Sequence, residues 1–316
     1  MSKPPFLALP SGVRAYRLAT ERGEFAVHDT GPARHPDAVA GASADVPTAL
    51  LLPGFTGSKE DFIGLLEPLA RAGMRAVAVD GRGQFETGGP HDESAYAQPE
   101  LARDVLAVAR ALGRDSDGEA GAARPLHLMG HSLGGLIARA AVLLEPSAFA
   151  SLTVMSSGPA AVGPSQRQRV DLLLSALPTR GLEAIWQLMR ELDQSVGSAG
   201  EAPYSRAEAE ETTAAMDAFL RRRWLSNVPE QLMVTGRQLQ TEPDRVGELA
   251  ALSLPFHVVS GTADDAWPVP LLDEMALRLG ARRTVVPDTG HSPNAERPQE
   301  TAHALAAFWR SPPAGG

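Results

Sequence analysis

The pentapeptide Gly130-His131-Ser132-Leu133-Gly134 is the feature that most constrains the fold of this chain. It follows a short apolar run, Pro125 to Met129, and precedes an apolar run with helical spacing, Leu136 to Leu144. A serine flanked by glycines between a strand and a helix is typical of a sharp turn that leaves the serine Oγ exposed at the end of a sheet. The turn also puts that hydroxyl near the first N–H groups of a helix, which stabilise negative charge. The pattern therefore predicts that Ser132 is a nucleophile.

The pentapeptide alone leaves an alternative, an idle serine in a glycine-rich turn. Glycine makes up 30 of 316 residues, and a chain of this kind contains on the order of 0.2 such pentapeptides by chance. The strand before it and the helix after it favour the functional interpretation. A serine hydroxyl is too weakly acidic to attack a carbonyl group unaided. The rest of the chain must therefore supply a base and an acid.

Short apolar segments alternate with amphipathic helical segments over most of the chain. This alternation predicts an α/β fold with a mostly parallel central sheet and helices on both of its faces, preceded by a hairpin. Ligands of such sheets bind beyond the carboxyl ends of the strands, where Ser132 is expected. The strands predicted in series are Thr48 to Leu52, Arg75 to Asp80, Pro125 to Met129, Leu152 to Met155, Pro255 to Ser260 and Arg283 to Val286.

From residue 159 to residue 243 the pattern changes to helices without a clear strand. A helical insertion within such a series is expected to cover the strand ends as a lid. The predicted organisation is an α/β core in two parts, residues 1–158 and 244–316, with a helical lid of residues 159–243. The helices predicted in the lid are Gln166 to Leu177, Leu182 to Leu192, Arg206 to Leu225 and Pro229 to Gln240, with a glycine-rich break from Val196 to Pro203.

Large apolar side chains in and near the lid are candidates for the wall of a substrate pocket. The alternative is that they are the inner faces of helices and pack against one another. If they line a pocket, the substrate is apolar and of small to medium size. The candidates are Trp186, Met189, Phe219, Trp224 and Trp267.

Two loops downstream of Ser132 offer an acid and a base. Asp264 and Asp265 follow the next-to-last predicted strand, and His291 follows the last one. When a nucleophilic serine lies on this kind of turn, its acid and base typically follow it in the order Ser, Asp, His along the chain. Of the eight histidines, His291 is the one in a loop at a strand end late in the chain, whereas His131 is expected to support the turn. These patterns predict His291 as the base and leave the two aspartates open as the acid.

Three motifs are spread over the chain: Gly-His-Ser-Leu-Gly-Gly at 130–135, Gly-x-x-Asp-x-x-x-Pro at 261–268, and Gly-His-Ser at 290–292. As a set they resemble the α/β-hydrolase superfamily, of the kind with a helical lid after the sixth strand. The resemblance implies Ser132 as nucleophile, Asp264 as acid and His291 as base. The spacing of the second motif favours Asp264, and Asp265 remains the alternative.

Two further loops resemble loops of the same superfamily. One contains Pro53, which stands where histidine is usual in the oxyanion loop. The resemblance implies that the backbone N–H groups of Phe55 and Leu133 form the oxyanion hole. The other loop, Asp80-Gly81-Arg82-Gly83-Gln84, is interpreted as a structural turn in which Arg82 binds nearby backbone or carboxylate oxygens.

Within the superfamily the resemblance favours a carboxylester hydrolase, class EC 3.1.1. A serine nucleophile argues against haloalkane dehalogenases and epoxide hydrolases, and the glycine-rich oxyanion motifs of proline iminopeptidases and many C–C bond hydrolases are missing from the sequence. Thioester, lactone and perhydrolase activity stay open. The rival interpretation is a non-catalytic ligand receptor or binding protein with the same fold. No cofactor is expected, because the sequence contains neither a GxGxxG phosphate loop nor a metal-ligand cluster.

Charge and composition narrow the choice of partners. The formal net charge is −9, so nucleic acid and anionic membranes are not expected partners. The chain contains no cysteine, which removes disulfides and thiolate sites. No run of 18 apolar residues occurs, so no transmembrane helix is expected. A cytoplasmic protein with a small-molecule, ester-like substrate is predicted. The oligomeric state is left open. The basic run Arg221-Arg222-Arg223 is interpreted as a solvated helix face.

Overall fold

An eight-stranded sheet forms the centre of the molecule. The computed structural model describes residues 2–31, 46–114, 126–196 and 206–310. In space the strands are ordered β1-β2-β4-β3-β5-β6-β7-β8. Two antiparallel pairs, β1 with β2 and β2 with β4, precede a run of parallel pairs from β4 to β8. This confirms the predicted fold class. The strands are β1 (Arg14–Thr20), β2 (Gly23–Asp29), β3 (Thr48–Leu52), β4 (Arg75–Val79), β5 (Leu126–His131), β6 (Phe149–Met155), β7 (Phe256–Gly261) and β8 (Arg282–Val286).

Helices cover both faces of this sheet, as predicted. In chain order, the α-helices of the described residues, including those of the insertion, are α1 (Ile63–Arg71), α2 (Gln98–Arg114), α3 (Leu133–Leu144), α4 (Pro164–Val196), α5 (Arg206–Leu225), α6 (Pro229–Thr241), α7 (Val246–Ala250), α8 (Val269–Leu279), α9 (Pro293–Glu296) and α10 (Pro298–Trp309). Short 3-10 helices occupy Lys59–Phe62, Glu93–Tyr96 and Pro146–Ala148.

The core consists of two apolar layers, because successive strand residues point to opposite faces of the sheet. In β3, Leu50 and Leu52 pack with apolar residues of α2, α3 and α8. Ala49 and Leu51 face the other way and pack with α1 and α10. The central strands β3, β4 and β6 are therefore buried on both faces, which explains their largely apolar sequences. The edge strand β8 is mostly exposed or half-buried.

Helices α4, α5 and α6 lie between β6 and β7 in the chain, where the helical insertion was predicted. Pro164–Val196 consists of two helical segments that meet at Gly181, whose φ of 70° and ψ of 170° interrupt the helix. The two segments correspond to the two helices predicted there. Most of the predicted break from Val196 to Pro203 lies outside the described residues, and so does most of the segment between Gly31 and Pro47.

A buried arginine joins the two ends of the insertion to the core. Arg139 of α3 donates to the carbonyl oxygens of Gly158 and Pro159 at 2.8 and 2.9 Å. Its guanidinium also lies 3.4 Å from the carboxylate of Glu242. Because Gly158 precedes α4 and Glu242 follows α6, a single side chain fixes the base of the insertion.

The interpretation of Arg221-Arg222-Arg223 as a solvated face is wrong for one of its three residues. Arg221 and Arg222 are exposed, but Arg223 is fully buried and forms an ion pair with the equally buried Asp61 at 2.7 Å. Asp61 belongs to the 3-10 helix that follows the loop after β3. The third arginine points inward because a helix turns by about 100° per residue, so consecutive positions face different directions.

None of the helices in the described part of the chain is both long and apolar enough to cross a membrane.

Candidate active site

Ser132 lies on a strained turn between β5 and α3. Its φ of 53° and ψ of −119° fall in a region that non-glycine residues rarely adopt. The turn is held by the Ser132 N–H, which donates to the carbonyl oxygen of Met155 at 2.9 Å. A Cβ atom on Gly130 would overlap the carbonyl group of Gly134, and one on Gly134 would overlap the carbonyl groups of Leu52 and Pro53. Both glycines of the pentapeptide are therefore required by close backbone approaches.

Asp264 and His291 meet at the carboxyl ends of β7 and β8. His291 Nδ1 lies 2.9 Å from Asp264 Oδ1. The same carboxylate oxygen accepts the backbone N–H groups of Ala266 and Trp267 at 3.0 and 3.2 Å. Burial alone would raise the pKa of Asp264, but these hydrogen bonds and the nearby imidazole hold it below its ordinary value. Asp264 is therefore an ionised partner for His291.

The neighbouring carboxylates have different partners. Asp265 is exposed and forms an ion pair with Arg169 of α4 at 3.1 Å. Asp288, in the same loop as His291, adopts a φ of 53°, as expected of a turn residue. Among the described residues, the hydrogen bond to His291 Nδ1 is thus made by Asp264, whereas Asp265 binds Arg169.

His131 joins the serine turn to the histidine loop. Its Nε2 donates to the carbonyl oxygen of His291 at 2.8 Å, and the two rings lie 5.1 Å apart. Complete burial, with a smaller contribution from His291, lowers the pKa of His131 to about 4. His131 is therefore neutral near pH 7, and its hydrogen bond supports the turn. Among the described residues no hydrogen bond joins Ser132 Oγ to His291, and such contacts are often long before a substrate is bound.

A glutamate that sequence reasoning missed also supports the histidine loop. Glu296 accepts the N–H groups of Gly290 and Ser292 at 2.7 and 3.0 Å, so it holds the peptide groups on both sides of His291. The available signal was local: Ser292 precedes α9, and an acidic residue in the first turn of a helix is typical of N-terminal capping.

The loop after β3 lies against the nucleophile. A Cβ atom on Gly54 would lie 3.2 Å from the Cβ of Ser132. The N–H groups of Phe55 and Leu133 are predicted to form the oxyanion hole. Within the described residues, neither donates a hydrogen bond to a backbone carbonyl oxygen. Leu133 is the first residue of α3, where N–H groups have no partner inside the helix.

Arg82 holds the neighbouring loop, as predicted. Its guanidinium donates twice to Asp104, at 2.6 Å each, and once to the carbonyl oxygen of Arg22 at 3.1 Å. Sequence reasoning missed Gln84 in the same loop, which contacts the loop after β3. No local signal in the sequence identifies that contact, because the two segments are 30 residues apart.

The predicted pocket residues fall into three groups. Trp186 and Trp224 are buried together in an apolar cluster of the lid, with Met189 and Phe55 packed against it. Phe219 belongs to a different cluster. Trp267 is fully buried in the core, donates to the carbonyl oxygen of Ala160 at 2.9 Å, and its ring lies 6.3 Å from that of His291. Their role in a substrate pocket stays a prediction.

One group of side chains in the described part of the chain has the spacing of metal ligands. Asp264, Asp265 and His291 each place one potential ligand atom within 4.8 Å of the others. His291 Nδ1 and Asp264 Oδ1 already bind each other. The hydrogen bond between Asp264 and His291 therefore explains the close spacing of these atoms.

Comparisons with known proteins identify the family of this chain. A model of the alpha/beta hydrolase family matches residues 49–304. Over 270 residues the chain is 26% identical to the pimeloyl-(acyl-carrier protein) methyl ester esterase of Aeromonas hydrophila, covering 83% of this chain and 95% of that protein. Over 114 residues it is 34% identical to a protein of Variovorax paradoxus named as a carbamate hydrolase, covering 36% of this chain and 39% of that relative.

Solved structures share the fold. An esterase from Exiguobacterium antarcticum superposes with a TM-score of 0.69 at 18% identity, covering 94% of this chain and all of that one.

Proposed function

This chain belongs to the alpha/beta hydrolase family, and on that premise we propose that it hydrolyses carboxylic esters through an acyl-enzyme. The observation that carries the proposal is the hydrogen bond between an ionised Asp264 and His291 Nδ1, at the same end of the sheet as the strained turn of Ser132. A carboxylate that binds Nδ1–H leaves Nε2 of the imidazole free to accept a proton. The similarity to a methyl ester esterase over most of both chains supports the same reaction class.

In the acylation step Ser132 Oγ forms a bond to the acyl carbon while its proton passes to His291 Nε2. The electron pair of the carbonyl double bond moves to the carbonyl oxygen, which accepts hydrogen bonds from the N–H groups of Phe55 and Leu133. As the tetrahedral intermediate collapses, the bond to the leaving alcohol breaks, and that alcohol takes the proton from His291. Asp264 stabilises the imidazolium between these two transfers.

In the deacylation step a water molecule replaces the alcohol. His291 accepts a proton from the water as its oxygen attacks the acyl carbon, and returns the proton to Ser132 Oγ as the acid leaves. Thioesters and lactones would follow the same path, because the same carbonyl chemistry applies.

The substrate class follows from the apolar surroundings of the site. Phe55, next to the proposed oxyanion hole, packs against the lid cluster that contains Trp186 and Trp224. We propose that the acyl group is apolar and of small to medium size. Each CH₂ group that it buries should contribute up to about 0.8 kcal/mol.

The test combines active-site labelling with turnover. A fluorophosphonate should modify Ser132 stoichiometrically, and kcat/KM for p-nitrophenyl esters should rise several-fold per two carbons from acetate until the pocket is filled. Ser132→Ala should lose both labelling and turnover, because loss of a triad serine costs on the order of 10⁴ to 10⁶ in kcat. Ser11→Ala, at an exposed position, is the matched control and should keep both.

Two outcomes would contradict the proposal. One is a purified Ser132→Ala variant that retains more than a few per cent of the wild-type turnover. The other is a folded wild-type protein that binds apolar esters without turning them over, which would favour the ligand receptor.

A further inference from the structure

We propose that Gln84 positions the peptide group between Gly54 and Phe55 so that the Phe55 N–H points to the substrate oxygen, a role that rests on the proposed ester hydrolysis. Pro53, which precedes Gly54 in this loop, has neither an N–H nor a polar side-chain atom with which to hold the loop. The support of the loop must therefore come from another residue.

The contacts of Gln84 identify it as that support. Its Nε2 donates to the carbonyl oxygen of Gly54 at 2.9 Å, and its Oε1 accepts the N–H of Gly81 at 3.1 Å. The opposite orientation of the side-chain amide would put two donors together at Gly81 and two acceptors together at Gly54, so the contacts fix its orientation. Gln84 is buried, and both ends of its amide are used.

The geometry of a peptide group explains how this contact acts at a distance. In a trans peptide the C=O of one residue and the N–H of the next point to opposite sides. The Gly54 oxygen is held from one side by Gln84 and by the N–H of Gly57, at 2.9 and 3.0 Å. The N–H of Phe55 must then point the other way. A Cβ atom on Gly54 would lie 3.2 Å from the Cβ of Ser132, and we infer from this proximity that the Phe55 N–H points towards the reacting carbonyl oxygen.

The loss of this hydrogen bond should therefore affect the transition state more than the bound substrate. Negative charge develops on the substrate oxygen only as Ser132 attacks, so a correctly aimed N–H stabilises the transition state selectively. Removal of a whole oxyanion-hole donor typically costs about 10² to 10³ in kcat. Gln84 acts through the peptide, which Gly57 still holds in part, so a smaller loss of about 10- to 100-fold is expected.

The test uses two substitutions at this position. Gln84→Met removes the donor, and a cavity of about 40 Å³ that Gln84 lines gives the thioether room to adjust. Gln84→Glu keeps the shape and the acceptor for Gly81 but turns a carboxylate oxygen towards the Gly54 oxygen. Both variants should lower kcat by about 10- to 100-fold with KM within about threefold of wild type, and Gln84→Glu should be the more affected.

Two further measurements separate positioning from a general loss of stability. A boronic acid, whose tetrahedral adduct with Ser132 places an oxygen in the hole, should bind the variants more weakly by about the same factor as the loss in kcat/KM. The pH dependence of kcat should keep its wild-type shape in Gln84→Met, whose side chain does not titrate. Thr87→Val is the matched control. It removes a hydrogen bond to the carbonyl oxygen of Asp80 in the same loop and one from the N–H of Ala26 in β2. Neither bond involves Gly54, so kcat should stay within about twofold of wild type.

The outcomes are distinguishable. Wild-type turnover with labelled Ser132, together with Gln84 variants whose kcat and boronic acid affinity stay within about twofold of wild type, would overturn the role of Gln84 alone. An equal loss in Thr87→Val would also overturn it. Failure of the wild-type enzyme to label or to turn over any ester would overturn the proposed function and this inference with it.

Discussion

Asp264 and Asp265 are adjacent in the sequence but occupy different environments. Asp264 is buried and binds His291 and two backbone N–H groups, whereas Asp265 is exposed and pairs with an exposed arginine of α4. A surface ion pair contributes little to stability or function, typically below about 1 kcal/mol. The proposed mechanism therefore predicts that a substitution of Asp264 lowers activity far more than a substitution of Asp265.

The substitution Asp264→Asn should lower kcat by about 10⁴-fold, because the amide neither stabilises the imidazolium nor fixes its tautomer. The matched substitution Asp265→Asn should change kcat by less than about threefold. Steady-state kinetics with one p-nitrophenyl ester measures both. Equal losses in the two variants would refute the assignment of Asp264.

At the residue scale, local patterns predicted the groups that belong to motifs. Ser132 and His291 each follow a strand within a recognisable pattern. The patterns left Asp264 and Asp265 open, and the resemblance to the superfamily favoured Asp264, which meets His291 at 2.9 Å. Gln84 was not predicted, because its role depends on two loops that become neighbours only when β3 and β4 pair. Long-range contacts of this kind leave no pattern in a single sequence.

At the scale of elements, a buried ion pair attaches the helical insertion to the rest of the structure. Arg223 of α5 and Asp61 of the 3-10 helix after β3 are both fully buried, 2.7 Å apart. Asp61 also accepts the N–H of Ser58 at 3.3 Å, and its own carbonyl oxygen accepts the side chain of Asn294 at 2.8 Å. Asp61 thus connects α5, the loop after β3 and the start of α9.

The substitution Arg223→Met should destabilise the protein by about 3 to 5 kcal/mol, because it leaves the Asp61 carboxylate buried without its cation. Arg221→Met is the matched control on the same helix. Arg221 is exposed and pairs with Glu183 at 2.8 Å, so its loss should cost less than about 1 kcal/mol. Urea denaturation gives both free energies of unfolding. Similar values for the two variants would contradict the structural role of the buried pair.

Periodicity predicted where the helices lie but not which polar residues they bury. The predicted helix Arg206 to Leu225 has the bounds of α5, because its helix-forming residues are uninterrupted. Arg223 points inward to an acidic partner, Asp61, that lies elsewhere in the chain. Three consecutive arginines in the sequence do not reveal that partner. The short helices α7 and α9 were missed for a related reason: helices of four or five residues are too short to show a period.

At the scale of the whole molecule, the sheet holds four histidines that remain neutral when folded. Burial lowers the pKa of His28, His127 and His131 to about 4. Burial, with nearby arginines, lowers the pKa of His257 to about 3. They lie on β2, β5 and β7. Of these, His127 forms a hydrogen bond with Ser151 at 2.8 Å, and His257 forms one with Thr284 at 2.9 Å.

These histidines should make the folded state sensitive to acid. In the unfolded chain a histidine has a pKa near 6.5. Between about pH 6.5 and pH 4 the unfolded chain therefore binds protons that the folded chain does not, and the free energy of unfolding falls as the pH falls. Each group contributes up to about 1.4 kcal/mol per pH unit. Buried Asp80 and Glu242, whose pKa values burial raises, act in the opposite direction but are fewer.

Replacing one of the four histidines isolates its contribution. His127→Gln keeps a hydrogen-bonding side chain beside Ser151 but removes the titrating ring, so the slope of unfolding free energy against pH between 6.5 and 4 should become shallower by up to about 1.4 kcal/mol per pH unit. His303→Gln, at an exposed position of α10, is the control and should keep the wild-type slope. Urea denaturation at half-unit pH intervals measures the three slopes. A His127→Gln slope equal to that of wild type would show that proton uptake at this histidine does not drive acid unfolding.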